Sequence, residues 1–268
     1  MANVIKLRKG LDVNLKGKAA KEEFQVKKPA VYALMPDDFT GMKPKVVVKE
    51  NDVVKVGDSL FVDKNHPEIK FVSPVSGRVT MVERGDRRKV LSVRVEADAE
   101  QQYVDFGKKN VGQMTAQEVK DLLLESGLFG FFRQRPYDVT ANPSDTPKAI
   151  FVSAFNSMPL AADFEYVLRG READFQAGLD ALAKMAKTYL GVSSKQTATA
   201  LTAAKNVEIN FFDGPAPAGN VGVQINHISP INKGEVVWTL GAEEVIFIGH
   251  LLNTGRLDFT RVCLLYTS

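Results

Sequence analysis

Short apolar runs alternate with turn residues over the N-terminal part of the chain, a pattern typical of β-strands joined by tight turns. The runs 60–62 and 71–72 are bounded by glycine, aspartate, serine and proline, whose backbone geometry favours turns. A second pair of runs, 79–82 and 90–95, flanks another Gly-Asp turn, and the later run alternates apolar and polar residues as a half-buried strand does. These repeated strand–turn–strand units predict a small sandwich with quasi-twofold symmetry.

From residue 115 onward, the pattern changes to predicted helices that alternate with strands. Thr115 and Glu118 form a capping box, in which a hydroxyl and a carboxylate satisfy the free amides of a helix start. Apolar spacing over 171–190 predicts an amphipathic helix, and the runs 148–153 and 207–212 predict buried parallel strands. This alternation predicts an α/β layer whose ligands bind beyond the carboxyl ends of its strands. Further predicted elements are a strand over 29–36, helices over 161–169, 198–204 and 242–252, and a last strand over 259–266.

The composition is that of an ordinary globular chain. The 268 residues are 44% hydrophobic and 25% charged, and a net charge of +3 without a basic stripe argues against a nucleic-acid partner. Because no apolar run could cross a bilayer and the N-terminus lacks a secretory signal, we expect a cytoplasmic protein that meets a membrane only through partners. Cys263 is the single cysteine, and His66, His227 and His250 lack metal-ligand spacing, so we expect neither a disulfide nor a metal site.

The Gly/Pro-rich segment 213–222 follows a predicted strand, which would place it beside Phe155 and Asn156 at one crevice. It has no glycine-rich phosphate motif, and its two prolines remove two of the amides that a phosphate cradle would use. We also expect no helix to open directly behind it. The segment therefore predicts a rigid turn and not a nucleotide loop.

A second segment of interest, 126–136, contains three phenylalanines, two arginines and two glycines between the capping-box helix and the next strand. This composition fits either an aromatic pocket for a planar ligand or a buried loop with two surface arginines, and the sequence leaves both open. No nucleophile-elbow motif is present, so hydrolase chemistry has no support and we expect no catalytic residue.

The N-terminal pattern resembles the biotinyl/lipoyl-type barrel-sandwich fold. The residues that match its Gly-Asp-x-Leu, Asp-Lys and Ser-Pro…Gly signature are Gly57, Asp58, Leu60, Asp63, Lys64, Ser73, Pro74 and Gly77. In that family the lysine at the place of Lys64 accepts lipoate or biotin. Here Ser73 lies nine positions after Lys64, with Pro67 between them, a longer hairpin than a carrier domain presents. Because a ligase recognises the hairpin geometry, we expect no covalent cofactor on Lys64.

Along the whole chain, the order of motifs resembles the A subunits of the Na⁺-translocating NADH:quinone oxidoreductases (Na⁺-NQR). The motifs lie at 5–12, 55–61, 71–77, 126–129 with 135–136, 149–152 with 159–163, 212–222, and 245–251 with 254–255. The resemblance implies a peripheral subunit, without a transmembrane segment, on the cytoplasmic face of the bacterial inner membrane. It would dock on the membrane B subunit of a complex that passes electrons from NADH to quinone and exports Na⁺.

The same family is related to the flavin-carrying, NADH-binding subunit of respiratory complex I, which implies a Rossmann-like α/β domain. In those relatives a multi-glycine loop holds flavin phosphate, whereas Phe129, Phe131 and Phe132 occupy that place here. The implication is a scaffold with no tightly bound cofactor, with NAD, FMN and iron–sulfur centres on partner subunits and a crevice open to ubiquinone. The quinone-binding candidates are Phe129, Phe131, Phe132, Phe155 and Phe212.

We therefore predict an α+β multidomain chain. A biotinyl/lipoyl-like barrel-sandwich domain with an N-terminal extension would span 1–105, and a Rossmann-like α/β domain would span 106–268. Family members continue further, so we expect a C-terminal truncation, with the family likeness ending at about residue 261 and a tail of different origin after Val262. The predicted role is assembly and quinone access. Two alternatives stay open: a lipoyl or biotin carrier modified at Lys64, and an active FMN-dependent NADH dehydrogenase subunit.

Overall fold

The computed structural model describes residues 4–13, 15–17 and 19–265, and the chain divides by its contacts into two compact units. The first, here called the α/β unit, contains the described residues of Met1–Phe24, Pro147–Gly249 and Thr260–Ser268. The second, here called the sandwich unit, contains Gln25–Thr146 and His250–Phe259. The predicted domain ranges, 1–105 and 106–268, stay a prediction.

Strands and helices are numbered along the chain. The strands are β1 (Val4–Lys6), β2 (Val31–Leu34), β3 (Pro44–Val46), β4 (Val53–Val54), β5 (Ser59–Asp63), β6 (Lys70–Val72), β7 (Gly77–Arg84), β8 (Val90–Ala97), β9 (Arg133–Arg135), β10 (Val139–Thr140), β11 (Ile150–Ser153), β12 (Thr188–Ser193), β13 (Glu208–Asp213) and β14 (Val237–Gly241). The helices are α1 (Ala116–Glu125), α2 (Phe164–Val167), α3 (Glu172–Met185), α4 (Thr199–Thr202), α5 (Val221–Ile228) and α6 (Ala242–Thr254).

The sandwich unit is built from an antiparallel sheet in the order β2-β8-β7-β4 and another in the order β3-β5-β6. Along β7, Val79 is fully buried while Arg78 and Thr80 on either side are exposed, as the period of two in a strand requires. The predicted turns bond to each other, because the Gly57 amide donates to the Ser73 carbonyl at 3.0 Å and the Ser73 amide donates to the Asp58 carbonyl at 2.8 Å. The predicted β-sandwich is confirmed.

The α/β unit contains a parallel sheet in the order β1-β13-β12-β11-β14. Its central strands are apolar runs, and Ile150, Phe151 and Val152 of β11 are all buried, as expected of a parallel sheet covered on both faces. Helix α5 covers one face, where Ile225 packs into a cluster with Phe151. The predicted parallel α/β layer is confirmed.

Glycine allows helices α3 and α6 to approach closely. A Cβ on Gly178 of α3 would overlap the carbonyl oxygen of Val245 in α6, and one on Gly249 of α6 would overlap the carbonyl oxygen of Asp174 in α3. The apolar face of α3 that the spacing predicted, including Phe175 and Leu179, is fully buried. The two helices therefore pack through backbone contact at these positions.

Several predicted boundaries are wrong. The helix predicted over 171–190 ends at Met185, because Ala186 is extended and the following residues form the buried central strand β12. The helices predicted over 161–169 and 198–204 shrink to the single turns of α2 and α4. Residues 259–265 of the last predicted strand are not in a sheet, and Tyr266 lies outside the described residues. Among the described helices, none is both long and apolar enough to cross a membrane.

Candidate functional site

In the sandwich unit, the phenylalanine-rich segment begins with a confirmed capping box. The Thr115 hydroxyl accepts from the Glu118 amide at 3.2 Å, and the Glu118 carboxylate accepts from the Thr115 amide at 2.7 Å, which starts α1. The bond from the Thr115 amide, and a second bond of 2.9 Å from the Thr115 hydroxyl to the same carboxylate, lower the pKa of Glu118. Helix α1 ends before Gly127, whose φ of 79° is left-handed, and the chain then enters a single 3₁₀ turn, Leu128–Phe131.

Glycine is required where this turn packs on β6. A Cβ on Gly127 would lie 2.7 Å from a methyl group of Val72, and one on Gly130 would lie 2.9 Å from the ring of Phe71. The rings of Phe129 and Phe132 stack on each other with centroids 5.2 Å apart, and both side chains are fully buried. These two candidates are therefore part of the hydrophobic core of the sandwich unit.

Phe131 differs from its two neighbours because its ring is half-buried at the surface of the sandwich unit. Its centroid lies 6.2 Å from that of Phe39 and 6.2 Å from that of Phe259. Phe39 in turn lies 4.4 Å from Phe71, which stacks on Phe61 at 5.1 Å. A continuous row of aromatic rings thus runs from the core of the sandwich to Phe131. Phe39 and Phe259 had no signal in the sequence, because only the fold brings them beside the segment.

The two arginines of the segment, Arg133 and Arg135, are partly buried and contact other residues of the sandwich unit. Arg133 donates from Nη2 to the Asp38 carbonyl at 3.0 Å, so it joins the segment to the turn that carries Phe39. The Nε of Arg135 lies 3.3 Å from Oδ1 of Asp138, but it is buried without an aligned hydrogen bond. The structure places two of the three rings in the core and the third at a half-buried aromatic surface, and whether a planar ligand binds there stays a prediction.

In the α/β unit, Phe155 and Phe212 lie at the carboxyl ends of two parallel strands. Phe155 follows β11 and is half-buried, whereas Phe212 lies within β13 and is fully buried. Strand β12 separates β11 from β13 in the sheet. Phe212 is therefore a core residue, and Phe155 is the candidate of this pair that retains exposed surface.

A buried amide occupies the carboxyl edge of the same sheet. Gln224 of α5 is almost fully buried and donates from Nε2 to the Ser153 hydroxyl at 2.9 Å and to the Ala218 carbonyl at 3.1 Å. The Ser153 hydroxyl donates to the carbonyl of Phe155 at 3.0 Å, and its oxygen lies 3.3 Å from the carbonyl of Gly219. A Cβ on Gly191 of β12 would overlap the Gln224 amide. The protein's own side chains therefore fill this part of the crevice.

The Gly/Pro segment differs from its prediction in one respect. Helix α5 opens at Val221, within the last two residues of the segment, with Asn220 as N-cap through a 2.8 Å bond from the Gly222 amide. The expectation that no helix follows was wrong. Asn220 caps the helix start, and the many glycines and prolines around it made the segment resemble a turn alone. The segment itself is a rigid turn, as predicted: its Ala218 amide donates to the Pro215 carbonyl and its Ala216 amide donates to Asp12.

Lys64 directly follows β5 and is exposed. Its amide donates to the Lys43 carbonyl at 2.7 Å, and the neighbouring buried Asp63 carboxylate accepts from the amides of Lys43 and Asn65. Hydrogen bonds from the Lys64 amide and to the Asp63 side chain therefore hold this loop. Whether Lys64 carries a prosthetic group stays the prediction made from its spacing, which is that it does not.

An ion-pair cluster at the start of α6 was not predicted. Arg261 contacts Glu243 at 2.7 Å and Glu244 at 2.5 Å, and its guanidinium carbon lies 5.1 Å from the ring centroid of Phe247. Burial raises the pKa of Glu243, which the Arg261 charge only partly offsets and the Glu244 charge reinforces. The pKa of Arg261 is also raised: burial would lower it, but Glu244 and Glu243 outweigh that effect. The cluster ties residue 261 to the first turn of α6.

Histidine, cysteine and carboxylate side chains do not gather as metal ligands anywhere in the described ranges. Three polar side chains lie at the carboxyl edge of the sheet. Gln224 donates to the Ser153 hydroxyl, and Gln196 donates to the carbonyl of Ala154. All three side chains are neutral, and none of them is an acid or a base near pH 7. Their arrangement is suited to holding loops in place and not to transferring a proton.

Comparison with known proteins gives a consistent result for both halves of the chain. Residues 5–98 match a family described as the NqrA N-terminal barrel-sandwich hybrid domain, and residues 114–257 match the NqrA second alpha/beta domain. The A subunit of the Na(+)-translocating NADH-quinone reductase of Pseudomonas aeruginosa (strain UCBPP-PA14) is 35% identical over 262 residues, covering 97% of this chain and 58% of the relative. The same subunit of Serratia proteamaculans (strain 568) is 36% identical over 264 residues, covering 97% of this chain and 59% of the relative.

The chain therefore spans less than two thirds of the length of these curated relatives. The two matched ranges together cover most of the chain, and they follow the order sandwich, then α/β layer, that the structure shows. The resemblance inferred from the motifs is thus confirmed, and the chain belongs to the NqrA family, the A subunits of the Na⁺-translocating NADH-quinone reductases.

Proposed function

We propose that this chain acts as the peripheral A subunit of a Na⁺-translocating NADH:quinone reductase, where it supports assembly and quinone access. Both matched domains and the names of the relatives support a role within that complex. NADH oxidation, flavin chemistry, iron–sulfur electron transfer and Na⁺ conduction then belong to partner subunits. The chain docks on the complex chiefly through the membrane B subunit, on the cytoplasmic face of the inner membrane.

The observation that carries the quinone part is the half-buried aromatic surface formed by Phe39, Phe131 and Phe259. A quinone ring is planar and apolar with a carbonyl at each end, so it suits a surface of aromatic edges and faces with few polar groups. Of the five candidates, Phe131 and Phe155 are only partly buried. Phe129, Phe132 and Phe212 are core residues and would support the site by holding Phe131 and the sheet in place.

The segment around Phe131 also favours a scaffold over a flavin site. A flavin phosphate would need several free amides pointing to one place. Here the Gly127 amide donates to the Leu124 carbonyl, the Gly130 amide to the Gly127 carbonyl and the Phe132 amide to the Phe129 carbonyl. These amides are committed within the turn, which supports assigning FMN to a partner subunit.

Photo-crosslinking with an azido-quinone tests the quinone proposal. We expect labelled peptides to contain Phe39, Phe131 or Phe259, and the variant Phe131→Ala to lower the labelling severalfold. Phe24→Ala is the matched control, since Phe24 is an exposed phenylalanine outside the sandwich unit. Labelling that maps elsewhere and is unchanged in Phe131→Ala would reject the proposed site.

Co-expression with the remaining reductase subunits tests the assembly role. We expect an affinity tag on this chain to retain those subunits from detergent-solubilised membranes, and membranes lacking the chain to lose Na⁺-stimulated NADH:quinone reduction. Flavin absorbance in the purified chain would favour the dehydrogenase alternative, and a lipoyl or biotinyl adduct in its intact mass would favour the carrier.

A further inference from the structure

The hairpin between β7 and β8 ends in an exposed basic tip. Arg84 at the end of β7 is exposed, and so are the loop residues Arg87, Arg88 and Lys89. The Gly85 amide donates to the Lys89 carbonyl at 2.8 Å, and the Lys89 amide donates to the Asp86 carbonyl at 3.1 Å. Asp86–Lys89 is therefore a hydrogen-bonded four-residue turn with Arg87 and Arg88 at its centre.

The backbone at this turn is unfavourable for the residues it holds. Arg87 has φ 53° and ψ 28°, and Arg88 has φ 62°, so both are left-handed, as the central residues of a type I′ turn must be. Asparagine and glycine are the usual occupants, because a side chain with a Cβ pays a steric penalty in this region. Gly85 and Asp86 tolerate left-handed backbone better than arginine does, but they stand before the two central positions, which the arginines occupy.

Apart from the backbone hydrogen bonds that close the turn, no contact of the two arginine side chains within the described residues offsets this strain. Neither guanidinium group forms an ion pair or a hydrogen bond with another described residue, whereas neighbouring basic side chains do: Lys89 pairs with Asp37 at 2.6 Å, and Arg84 donates to the Arg88 carbonyl at 3.3 Å. Two uncommon backbone conformations thus hold two unpaired arginines outward. Strain of this kind is typical of positions selected for function.

Two contacts anchor the base of the tip. Lys89 is tied to Asp37 in the 3₁₀ turn Pro36–Asp38, and the side chain of Leu91 covers Gly85, where a Cβ would lie 3.1 Å from Cδ1 of Leu91. Leu91 and Met81 on the same hairpin are themselves exposed apolar residues. A defined turn that presents two exposed arginines on the same hairpin as exposed apolar residues resembles the arginine and apolar anchors of protein interfaces.

Resting on the proposed function, we infer that Arg87 and Arg88 form a docking site for a carboxylate-bearing surface of another subunit of the reductase. A guanidinium group matches a carboxylate with two parallel hydrogen bonds, an interaction that requires defined geometry on both sides. A fluid anionic bilayer adapts to any arrangement of charge, so it gives no reason to hold two arginines in left-handed backbone. The hydrogen-bonded turn with its two left-handed residues therefore favours a protein partner.

The double substitution Arg87→Asn, Arg88→Gly separates folding from docking. It installs the residues that a type I′ turn prefers, so we expect the Tm of the purified chain to rise by roughly 2–5 °C. In detergent-solubilised complexes captured through a tag on this chain, the NaCl concentration that releases half of the other subunits should fall by about twofold, since charge-assisted contacts are lost. Lys27→Asn, Lys28→Gly is the control, because it removes the same charge from an exposed basic pair of the same unit.

A second variant identifies the partner atom. Arg88→Lys keeps the charge and adds an amine that a carbodiimide can couple to a carboxylate, so we expect a new cross-link from the introduced amine to an Asp or Glu of another subunit. Equal subunit retention by the wild-type and Asn-Gly chains would overturn the inference and leave the proposed function standing. Failure of the wild-type chain to retain any subunit would reject the proposed function itself. Arginine-dependent binding to phosphatidylglycerol vesicles, with subunit retention unchanged, would replace the protein partner by a membrane.

Discussion

The Nε2 of Gln224 in α5 donates a hydrogen bond to the Ser153 hydroxyl at the end of β11, with 2.9 Å between the two atoms. The same amide nitrogen also donates to the Ala218 carbonyl in the Gly/Pro turn. One buried side chain therefore joins the helix, the central sheet and the Gly/Pro turn. Buried polar contacts of this kind are costly to break, because the remaining partner has no water to replace them.

Replacing Gln224 with leucine should destabilise the α/β unit by about 2–3 kcal/mol, since the buried Ala218 carbonyl and the partly buried Ser153 hydroxyl lose a donor. Urea unfolding followed by circular dichroism measures the change. Gln117→Leu is the control, because Gln117 is exposed and bonds to Asp121 on the surface of α1. Its effect should stay within about 0.5 kcal/mol. Equal losses in the two variants would show that the buried network contributes little.

Substituting Gly127 with alanine tests the close contact between the phenylalanine-rich turn and β6. The left-handed φ of 79° alone costs about 1 kcal/mol for alanine, and the added Cβ would lie 2.7 Å from a Val72 methyl group, which should bring the total to about 3 kcal/mol. Gly107→Ala separates the two effects, because Gly107 has φ 71° in the same unit and no atom closer than 3.8 Å to the position of an added Cβ. If both variants lose the same stability by urea unfolding, the proposed packing contact is not tight.

Phe132 and Phe131 are adjacent in sequence but should behave differently. Phe132→Ala should cost about 3–5 kcal/mol in free energy of unfolding, because a fully buried ring that stacks on Phe129 leaves a cavity. Phe131→Ala should cost about 1 kcal/mol or less, since its ring is only half-buried and leaves no closed cavity. Chemical denaturation measures both. A large loss for Phe131→Ala would make it a core residue and weaken the proposed quinone site.

The sequence was sufficient where structure depends on local chemistry. The capping box at Thr115 formed as predicted, and the Gly57 and Ser73 turns of the sandwich bond to each other. These signals succeed because the residues that satisfy each backbone group carry turn and cap chemistry that is readable from their type and spacing.

What the sequence did not reveal depends on residues brought together from distant parts of the chain. Phe39 and Phe259 flank Phe131 only in the folded sandwich unit, and Gln224 reaches Ser153 across the sheet. The end of α3 was missed because apolar residues continue past Met185 into β12, and hydrophobic spacing does not mark where a helix stops and a buried strand starts.

Glu243, in the first turn of α6, should make the stability of the chain depend on pH. Burial raises the pKa of Glu243 above its ordinary value of 4.5, despite the nearby charge of Arg261. As pH rises from 4.5 through the higher pKa of the folded state, the unfolded carboxyl has lost its proton while the folded one still holds it, so the wild-type chain loses stability across that interval. Glu243→Gln cannot ionise and should not show this loss. Its Tm relative to wild type should therefore be higher at pH 7 than at pH 4.

Glu172→Gln is the matched control, since it removes an exposed carboxylate from the first turn of α3. A Tm difference for Glu243→Gln that is the same at both pH values would show that burial does not control the ionisation of this carboxyl.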